Sequence, residues 1–434
     1  MGSVDSGADG RPSPCAADPG AEDRPSSPAA DPGAEDRTTS ATVDLAAKDR
    51  PAPPSGLGVY VHMPFCISRC RYCDFNSYAG LDALGPRYVD ALLAEARRAV
   101  NCRDGLLAAR QAASLYLGGG TPTVLPARLL LRLLVKLKET LPLDVGAEVT
   151  IEVNPETVVA DTFRRLATAG VNRVSIGAQS AHFHVLEFLG RIHDSSRTEQ
   201  AVVLARQAGI QRLNLDLIYG TPGESGEDWA SSLDWALGLS PDHLSCYALT
   251  VEESTPYGRA VAAGVQRAPS EDDLAEKYEL ACERLRAAGF EHYEVSNWAR
   301  PGQACRHNLL YWTGGDYLGL GAGAHSFLRG RRSWNVAHPT AYLANVEAGE
   351  SPEAGSERIG PAERRLEALW LGLRLAAGLR EESLEALGAN QRALGEMLDS
   401  GLGERHDGRF RLTERGLFLA DAIVADLAAG ARVG

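Results

Sequence analysis

The sequence predicts an α/β protein: a partial (β/α)6 TIM-like barrel followed by a small C-terminal α+β domain with a winged-helix-like pattern. Two observations support this prediction. Six short apolar runs alternate with six amphipathic segments between residues 58 and 287, and after residue 361 the pattern changes to short helices around a hairpin signal. Strands that alternate with helices are typical of a parallel sheet with helices outside it. The active site of such a sheet lies at the carboxyl ends of its strands.

The barrel elements are predicted from hydrophobic periodicity. The predicted strands are short apolar runs, and they lie at 58–63, 114–117, 148–153, 172–177, 212–219 and 243–249. The predicted helices carry an apolar stripe at helical spacing, and they lie near 86–100, 126–140, 160–169, 196–208, 227–238 and 271–287. Because six such units follow one another directly, a single parallel sheet is expected.

The C-terminal pattern is different. Helical patterns occur at 361–376, 381–387 and 391–400, and Asp407-Gly408 marks a hairpin turn inside 403–412. Thr413 suits the N-cap of a last helix. Helices followed by a hairpin and a helix predict a winged-helix-like unit, and its lack of clustered basic residues favours a lid or docking role over DNA binding.

Composition divides the chain into four predicted parts. Residues 1–55 are rich in Pro, Asp, Ala and Gly and repeat one eight-residue segment. They bury too little apolar surface to offset chain entropy, so a disordered low-complexity tail is expected there. The barrel core is expected at 56–300, a short motif with its connector at 301–360, and the C-terminal domain at 361–434.

Charge and hydropathy exclude several classes of protein. The 434 residues are 44% hydrophobic, which suffices for a sizeable core, and the formal net charge of -13 argues against a nucleic-acid partner. No apolar run approaches the roughly 20 residues of a membrane span, and the N-terminus lacks an apolar signal region. Scattered cysteines fit a reducing compartment. We therefore expect a cytoplasmic protein without an integral membrane span.

Three cysteines directly follow the first predicted strand: Cys66, Cys70 and Cys73, in the spacing C-x3-C-x2-C. Thiolates bind soft metals, and clustered cysteines commonly hold iron–sulfur clusters. A loop this short can reach three corners of one cubane and leaves one iron open. A structural zinc site with His62 as fourth ligand is the alternative, but no second cysteine pair exists. A disulfide in this loop is less favoured.

Further candidates lie at the carboxyl ends of later strands. Gly118-Gly119-Gly120-Thr121 follows the second strand, and glycines let a backbone approach a ligand closely. Glu152 and Asp216 interrupt apolar runs, where a buried acid needs a partner. A salt bridge at the barrel rim is the alternative reading for these acids.

Three more side chains share that position. Gln179 comes just past the fourth strand, and Ala248 lies at the end of the sixth. Arg191 lies in the segment 189–193, and its guanidinium suits a carboxylate ligand. Each alone is more often a surface or fold residue, so only the shared position makes them candidates.

Five motifs in order resemble one family. They are Tyr60–Cys66, Gly118–Thr123, Ile151–Pro155, Gly177–Ser180 and Gly190–His193. Together they resemble the radical S-adenosylmethionine (SAM) superfamily, and within it the HemN-type branch, over residues 57 to 430. This branch includes oxygen-independent coproporphyrinogen III oxidases and related haem chaperones.

The resemblance implies a set of cofactors and contacts. Cys66, Cys70 and Cys73 would hold a 4Fe–4S cluster whose open iron chelates SAM. The implied SAM contacts are Tyr60, Gly119, Gly120, Thr121, Glu152, Gln179, Arg191, Asp216 and Ala248. A flavodoxin or ferredoxin would supply one electron, and cleavage of SAM would give methionine and a 5′-deoxyadenosyl radical. Whether this chain is an enzyme stays open.

Two features bear on the choice within the branch. The oxidase signature continues to a fourth cysteine, at the position where this chain has Phe75. The segment His307-Asn308-Leu309-Leu310-Tyr311-Trp312 resembles the H-N-x-x-Y-W motif of the chaperones. Imidazole ligates haem iron and aromatic faces cover porphyrins, so haem is an implied ligand here; a structural histidine among core aromatics is the alternative. His325 is a second, weaker haem candidate.

The resemblance therefore implies a haem chaperone that binds a cluster, SAM and haem and delivers haem to a haem-dependent respiratory protein. The alternative is an oxygen-independent coproporphyrinogen III oxidase acting by radical SAM chemistry in porphyrin biosynthesis. A third hypothesis, from a different class, is a zinc-structured regulator with a winged helix, against which the acidic charge balance argues.

Overall fold

The structure is a computed structural model that describes residues 56–101 and 110–428. The predicted disordered tail, 1–55, lies outside the described residues. Within the described ranges, every helix is too short or too polar to serve as a bilayer span.

The elements follow one another along the chain in a largely alternating order. The strands are β1 Leu57–Met63, β2 Phe65–Cys66, β3 Tyr78–Ala79, β4 Ala112–Gly119, β5 Leu143–Val153, β6 Arg173–Gln179, β7 Arg212–Tyr219, β8 His243–Ala248, β9 Glu291–Glu294, β10 Asn297–Ala299, β11 Tyr317–Leu320, β12 His325–Leu328, β13 Arg331–Asn335, β14 Glu353–Arg358, β15 Leu379–Arg380, β16 Gly403–His406 and β17 Arg409–Leu412. The helices are α1 Gly85–Asn101, α2 Ala127–Thr140, α3 Ala160–Thr168, α4 Phe183–Leu189, α5 Ser195–Gln207, α6 Gly226–Gly238, α7 Pro256–Ala262, α8 Glu271–Ala287, α9 Arg306–Trp312, α10 Pro339–Glu347, α11 Pro361–Leu373, α12 Glu381–Ala386, α13 Gln391–Asp399, α14 Glu414–Phe418 and α15 Ala420–Ala428.

The predicted parallel sheet is confirmed. Strands β1, β4, β5, β6, β7 and β8 are adjacent in this order and pair in parallel. Parallel strands covered by helices read as nearly continuous apolar runs, and all seven residues of β6 are buried. The side chains on one face pack under the helices as the main core, which includes Leu115, Ile176 and Leu215.

The opposite face of these strands is polar and lines the barrel interior. The phenol of Tyr116 stacks beside Tyr60 and donates to Glu152, and Asn214 donates to Ser175 and Asp216. The register Tyr60↔Tyr116 places these rings side by side on neighbouring strands. Alternation along each strand therefore gives a dry outer layer and a polar lumen.

The sheet extends beyond the six predicted strands, to twelve strands in all. β11 pairs in parallel with β1 and continues through β12, β13 and β14, while β10 and β9 follow β8 at the other edge. The interpretation of 301–360 as a motif with a connector missed this extension. The missed strands are short, and β14 has no fully buried residue, so no apolar run marks them.

The C-terminal residues have their own small sheet, β15-β17-β16, and a hydrophobic cluster separate from the barrel core. The Thr413 hydroxyl accepts from the amide of Gly416, as its predicted N-cap position requires. The last helical segment is broken into α14 and α15, which the sequence pattern did not indicate. Helices around a β16–β17 hairpin follow the predicted winged-helix-like order.

A substitution at Phe410 tests whether the two hydrophobic clusters are separate. This ring is 1% exposed at the centre of the C-terminal cluster. We expect Phe410→Ala to lower the free energy of unfolding of this domain by about 3–5 kcal/mol, because it leaves a cavity. Hydrogen exchange followed by mass spectrometry should show faster exchange in 361–428 and unchanged exchange in the barrel strands.

The matched control is Val145→Ala, since Val145 is fully exposed. This substitution should change the free energy of unfolding by less than about 0.5 kcal/mol. Equal acceleration of exchange in the barrel and the C-terminal domain in Phe410→Ala would contradict the separation of the clusters.

Candidate cluster and cofactor site

The cysteine loop begins at the carboxyl end of β1, where β2 and β3 form a short ladder around it. Each thiol has at least one polar neighbour. The pairs are Cys66 Sγ with Thr121 Oγ1 at 3.7 Å, Cys70 Sγ with Arg191 Nη1 at 3.6 Å, and Cys73 Sγ with Ser77 Oγ at 3.9 Å. Each sulfur can therefore accept a hydrogen bond, which suits thiolate ligands whose charge must be stabilised.

The donor set fits a cluster better than a single zinc ion. Both ring nitrogens of His62 are engaged, Nδ1 with the Tyr60 hydroxyl at 3.0 Å and Nε2 with the Asn76 carbonyl oxygen at 2.8 Å. Among the described residues, two groups of three ligand-type side chains bring their donor atoms within 4.8 Å of one another, and neither contains a cysteine of this loop. The predicted zinc alternative with His62 thus lacks a compact four-ligand site.

Burial affects the ionisation of these thiols. It raises the pKa of Cys66 and of Cys73, and the hydrogen bonds from Thr121 and Ser77 offset this only in part. A bound metal deprotonates a coordinating thiol outright. Cluster binding would therefore supply the charge that makes these buried thiols thiolates.

The glycine run has a clear steric reason. A Cβ at Gly118 would lie 2.7 Å from Glu152 Oε1, and one at Gly119, whose φ is +113°, would lie 2.4 Å from the His62 ring. A Cβ at Gly120 would lie 2.7 Å from the Phe65 carbonyl oxygen and 3.1 Å from Cys66 Sγ. The three glycines therefore let β4 approach a carboxylate, a ring and the cysteine loop at once.

Glu152 lies in the lumen below the cysteine loop. Its carboxylate accepts from the Tyr116 hydroxyl at 2.8 Å and from the Gly119 amide at 3.0 Å. Burial and the nearby charge of Asp216 raise its pKa, the two hydrogen bonds lower it, and the net result is a pKa of about 7. Among the described residues neither Glu152 nor Asp216 forms a salt bridge, although the charge of Arg173 lowers the pKa of Asp216.

Asp216 faces Glu152 from β7. It accepts from Ser175 Oγ and from Asn214 Nδ2, both at 2.8 Å, and burial raises its pKa although these bonds lower it. Two half-buried carboxyls that remain accessible from the lumen can accept hydrogen bonds from hydroxyl groups. This is the chemistry expected of a contact to a ribose.

Arg191 joins three parts of the site. Besides Cys70, its Nη2 donates to Asn154 Oδ1 at 2.7 Å and to the Gly177 carbonyl oxygen at 3.0 Å. Its Nε is buried without a hydrogen-bond partner in the described structure. A cavity of about 10 Å³, room for one water-sized group, adjoins Arg191, Cys70 and Thr121. An orphaned guanidinium donor beside a small cavity fits an anionic ligand group.

Gln179 and Ala248 complete the predicted set. Gln179 is the last residue of β6 rather than just past it, and its φ of +65° is a strained conformation for a residue other than glycine. Ala248 is half-buried at the end of β8, opposite Tyr219. Both lie on the predicted edge of the sheet.

Sequence reasoning missed two residues that hold the site together. Asn154 links Arg191 to Thr121, to whose hydroxyl its Nδ2 donates at 2.9 Å. Ser77 neighbours Cys73. Asn154 lies inside the motif Ile151–Pro155, so the motif did include it. Neither composition nor hydrophobic periodicity distinguishes it from an ordinary turn residue.

His307 lies inside the barrel and is 2% exposed. Its Nδ1 contacts Ser114 Oγ at 2.8 Å and its Nε2 contacts the Tyr311 hydroxyl at 2.9 Å. The ring stacks on Tyr116, and burial lowers its pKa to about 4. Because both nitrogens are engaged, the structure favours the structural alternative for His307 over direct ligation of haem iron.

Glu148 holds the first turn of α9 inside the barrel. Its carboxylate accepts from the amides of Arg306 and His307 at 3.3 and 3.2 Å and pairs with Arg212 at 3.1 Å. Burial raises its pKa, but the charges of Arg173 and Arg212 outweigh this and lower the value. An ionised carboxylate therefore caps the first turn of α9 inside the lumen.

The other side of α9 faces a cleft of about 260 Å³ between the barrel and the C-terminal domain. Asn308, Trp312, Tyr247 and Arg374 line it. The indole Nε1 of Trp312 is buried without a partner in the described structure. Tyr247 lies in β8 and its side chain is 42% exposed. His325, the weaker candidate, is exposed and stacks near Trp334 instead.

The profile of the Radical SAM superfamily matches residues 60–236. The chain is 44% identical over 381 residues to a protein named heme chaperone HemW from Mycobacterium tuberculosis, covering 87% of this chain and 96% of the relative. It is 40% identical over 311 residues to its Escherichia coli namesake, covering 68% of this chain and 80% of the relative, and 31% identical over 373 residues to that of Bacillus subtilis, covering 84% and 97%.

One solved structure has the same fold. It is the coproporphyrinogen III oxidase HemN from Escherichia coli, a radical SAM enzyme, with a TM-score of 0.74, 23% sequence identity, and coverage of 89% of this chain and 93% of that one. At this identity the likeness establishes the fold alone. It confirms the predicted α/β architecture.

The pKa of Glu152 predicts a pH dependence of stability. Its folded pKa of about 7 exceeds the ordinary 4.5, so the folded state binds the extra proton and loses stability as the pH rises between these values. Glu152→Gln removes this loss. We expect the variant to gain about 2–3 kcal/mol over the wild type between pH 5 and pH 8, measured by urea unfolding without SAM.

Glu148→Gln is the matched control because the pKa of Glu148 is lowered. Its ionised form contributes stability above the unfolded pKa that is lost on acidification. This variant should be less stable than the wild type at pH 8, with a deficit that shrinks at low pH. Parallel pH profiles for Glu152→Gln and the wild type would contradict the raised pKa of Glu152.

Proposed function

Because the chain belongs to the HemW family of the radical SAM superfamily, we propose that it is a haem chaperone that binds a 4Fe–4S cluster, SAM and haem and delivers haem to haem-dependent respiratory proteins. The observation that carries this proposal is the extent of the match. Similarity to the HemW proteins runs over nearly their whole length, and not over the barrel alone.

Membership of the superfamily implies the cluster and SAM. In this proposal Cys66, Cys70 and Cys73 hold the cluster, which supplies an open iron for the amino and carboxylate groups of SAM. The unpartnered Nε of Arg191 is directed to the carboxylate, and Glu152 and Asp216 accept from the ribose hydroxyls. Tyr60, Gly119, Gly120, Thr121, Gln179 and Ala248 complete the proposed contacts. The barrel orients the ligand and excludes water.

We place haem in the cleft beside α9. Trp312 offers an aromatic face and a free N–H donor, Asn308 offers an amide, and Arg374 offers a cation for a propionate. Arg374 is ion-paired with Asp421, so a propionate would replace that carboxylate. The volume of about 260 Å³ lies just under the roughly 300–1,000 Å³ typical of ligand pockets, so the C-terminal domain would shift to admit a porphyrin.

The electron donor we propose is a flavodoxin or ferredoxin of the cytoplasm. Two apolar side chains are exposed at the cluster loop, Ile67 within it at 53% and Ile192, next to Arg191, at 60%, and the loop also carries Arg69 and Arg71. An apolar patch with basic neighbours suits an acidic electron carrier.

The proposed domain limits remain 56–300 for the core, 301–360 for the α9 segment and 361–434 for the C-terminal domain.

The oxidase alternative is not favoured. Phe75 occupies the position of the fourth cysteine of that signature and is 69% exposed. Anaerobic incubation of the cluster-loaded protein with SAM, a reductant and coproporphyrinogen III, followed by chromatography, should yield no protoporphyrinogen. Decarboxylation by protein with an intact cluster would make this chain an oxidase and overturn the proposal.

Haem binding tests the chaperone assignment directly. We expect one haem per chain, and Trp312→Ala should weaken the affinity at least tenfold because it removes the aromatic face and the N–H donor of the cleft. Absorption titration of the full-length protein with haem measures this. Trp334→Ala on β13, outside the cleft, is the matched control and should bind haem like the wild type.

The variant His307→Ala distinguishes a haem site in the cleft from a haem site inside the barrel. With haem in the cleft, this variant should retain the absorption spectrum of the bound haem, since both ring nitrogens are engaged inside the barrel. A changed spectrum with lost affinity in His307→Ala, and unchanged affinity in Trp312→Ala, would make His307 the iron ligand and contradict the cleft site.

A further inference from the structure

Three ligand-type side chains form a group on the rim of the barrel, outside the cofactor site: His182, His184 and Asp228. His182 directly precedes α4, His184 is its second residue, and Asp228 is the third residue of α6. Their donor atoms lie within 4.8 Å of one another. The side chains are 31, 52 and 21% exposed, so a dissolved ion can reach them.

The hydrogen bonds of Ser231 orient the ring of His182. The Ser231 hydroxyl lies 3.1 Å from the carbonyl oxygen of Asp228 and 2.6 Å from Nε2 of His182. With the hydroxyl donating to that carbonyl, its oxygen accepts from Nε2, and Nδ1 then faces Asp228 Oδ1 at 3.5 Å with its lone pair. Two acceptors that face each other in this way repel unless a proton or a metal cation lies between them.

The spacing suits a tetrahedral ion. Nε2 of His184 lies 3.5 Å from Asp228 Oδ2, the same separation as on the His182 side. Zinc binds histidine nitrogen and carboxylate oxygen at about 2.0–2.1 Å, so two ligands of a tetrahedral zinc ion lie about 3.3–3.4 Å apart. Small side-chain adjustments would therefore complete the coordination.

The surroundings support the ligands. The amide and the hydroxyl of Ser225 donate to Asp228 Oδ2 at 2.8 and 2.7 Å and hold this carboxylate in place. Ser231 orients the His182 ring in the way that an outer-shell partner orients a metal-binding histidine. Two neutral imidazoles and one carboxylate suit a divalent cation of the zinc class.

We propose that His182, His184 and Asp228 bind a zinc ion, with water as the fourth ligand. The ion would join the start of α4 to the first turn of α6. The far end of α4 leads into Arg191, and its Leu189 carbonyl oxygen accepts from the amide of Arg71 in the cysteine loop. The zinc ion would therefore stiffen the helix that supports the cluster loop.

Zinc titration by calorimetry tests this proposal. The titrated protein is the full-length chain without a tag, with Cys66, Cys70 and Cys73 replaced by serine because thiolates bind zinc strongly. We expect one zinc ion per chain, and His184→Gln should weaken the affinity at least tenfold. His325→Gln, at an exposed histidine elsewhere, is the matched control and should bind zinc unchanged.

Two further measurements keep the test independent of the folding of one variant. Ser231→Ala leaves all three ligands in place and should weaken zinc binding about 10–100-fold. Cobalt(II), added as a probe, should give the visible absorption bands of tetrahedral coordination, and His184→Gln should lose them.

Three results would overturn the proposal: no stoichiometric binding by the parent, equal affinity in His184→Gln, or equal affinity in Ser231→Ala. Each would mean that the two histidines form only an ion pair with Asp228 when protonated. A thermal midpoint that rises with added zinc in the parent, and not in His184→Gln, would agree with a site occupied only in the folded state.

Discussion

The guanidinium of Arg191 is the contact on which the arrangement of the site depends. It bonds Cys70 in the loop, Asn154 after β5 and the carbonyl oxygen of Gly177 on β6. A planar fork with several donors can hold three separate segments in one geometry, which a lysine cannot do. The cysteine loop is thereby fixed to the carboxyl end of the sheet before any cofactor is bound. The glycine run completes this packing, because a side chain there would collide with Glu152, with the His62 ring or, at Gly120, with the cysteine loop.

Two carboxyls inside the barrel, Glu148 and Glu152, differ in the charges that surround them. Glu148 has arginine partners and is ionised at the closed end, where it caps α9. Glu152 has none and is near its titration point at the open end, beside the cysteine loop. The same residue type thus has a structural role in one layer and is available to a ligand in the next. The difference comes from neighbouring charges, since burial raises the pKa of both carboxyls but only Glu148 has arginines beside it.

The sequence predicted the six parallel strands and their helices because each has an apolar run or stripe of sufficient length. It did not predict β9 to β14. These strands are short, and several of them mix apolar with polar residues or are exposed. They become strands only because a sheet edge is already present. The site divides in the same way. Cys66, Glu152, Arg191 and Asp216 carry chemistry that is unusual for their positions, so the sequence indicates them. Asn154 and Ser77 are ordinary loop residues until the fold places them against Arg191 and Cys73.

The H-N-x-x-Y-W segment shows why a motif does not state which of its residues faces a ligand. On a helix, residues four apart share a face, and His307 and Tyr311 do so inside the barrel. Asn308 and Trp312 share the next face along and line the cleft. One short helix therefore contacts the lumen with one face and the cleft with the other. A ligand that displaces α9 from the cleft side must strain the bonds of His307 to Ser114 and Tyr311, so the two compartments are mechanically linked through seven residues.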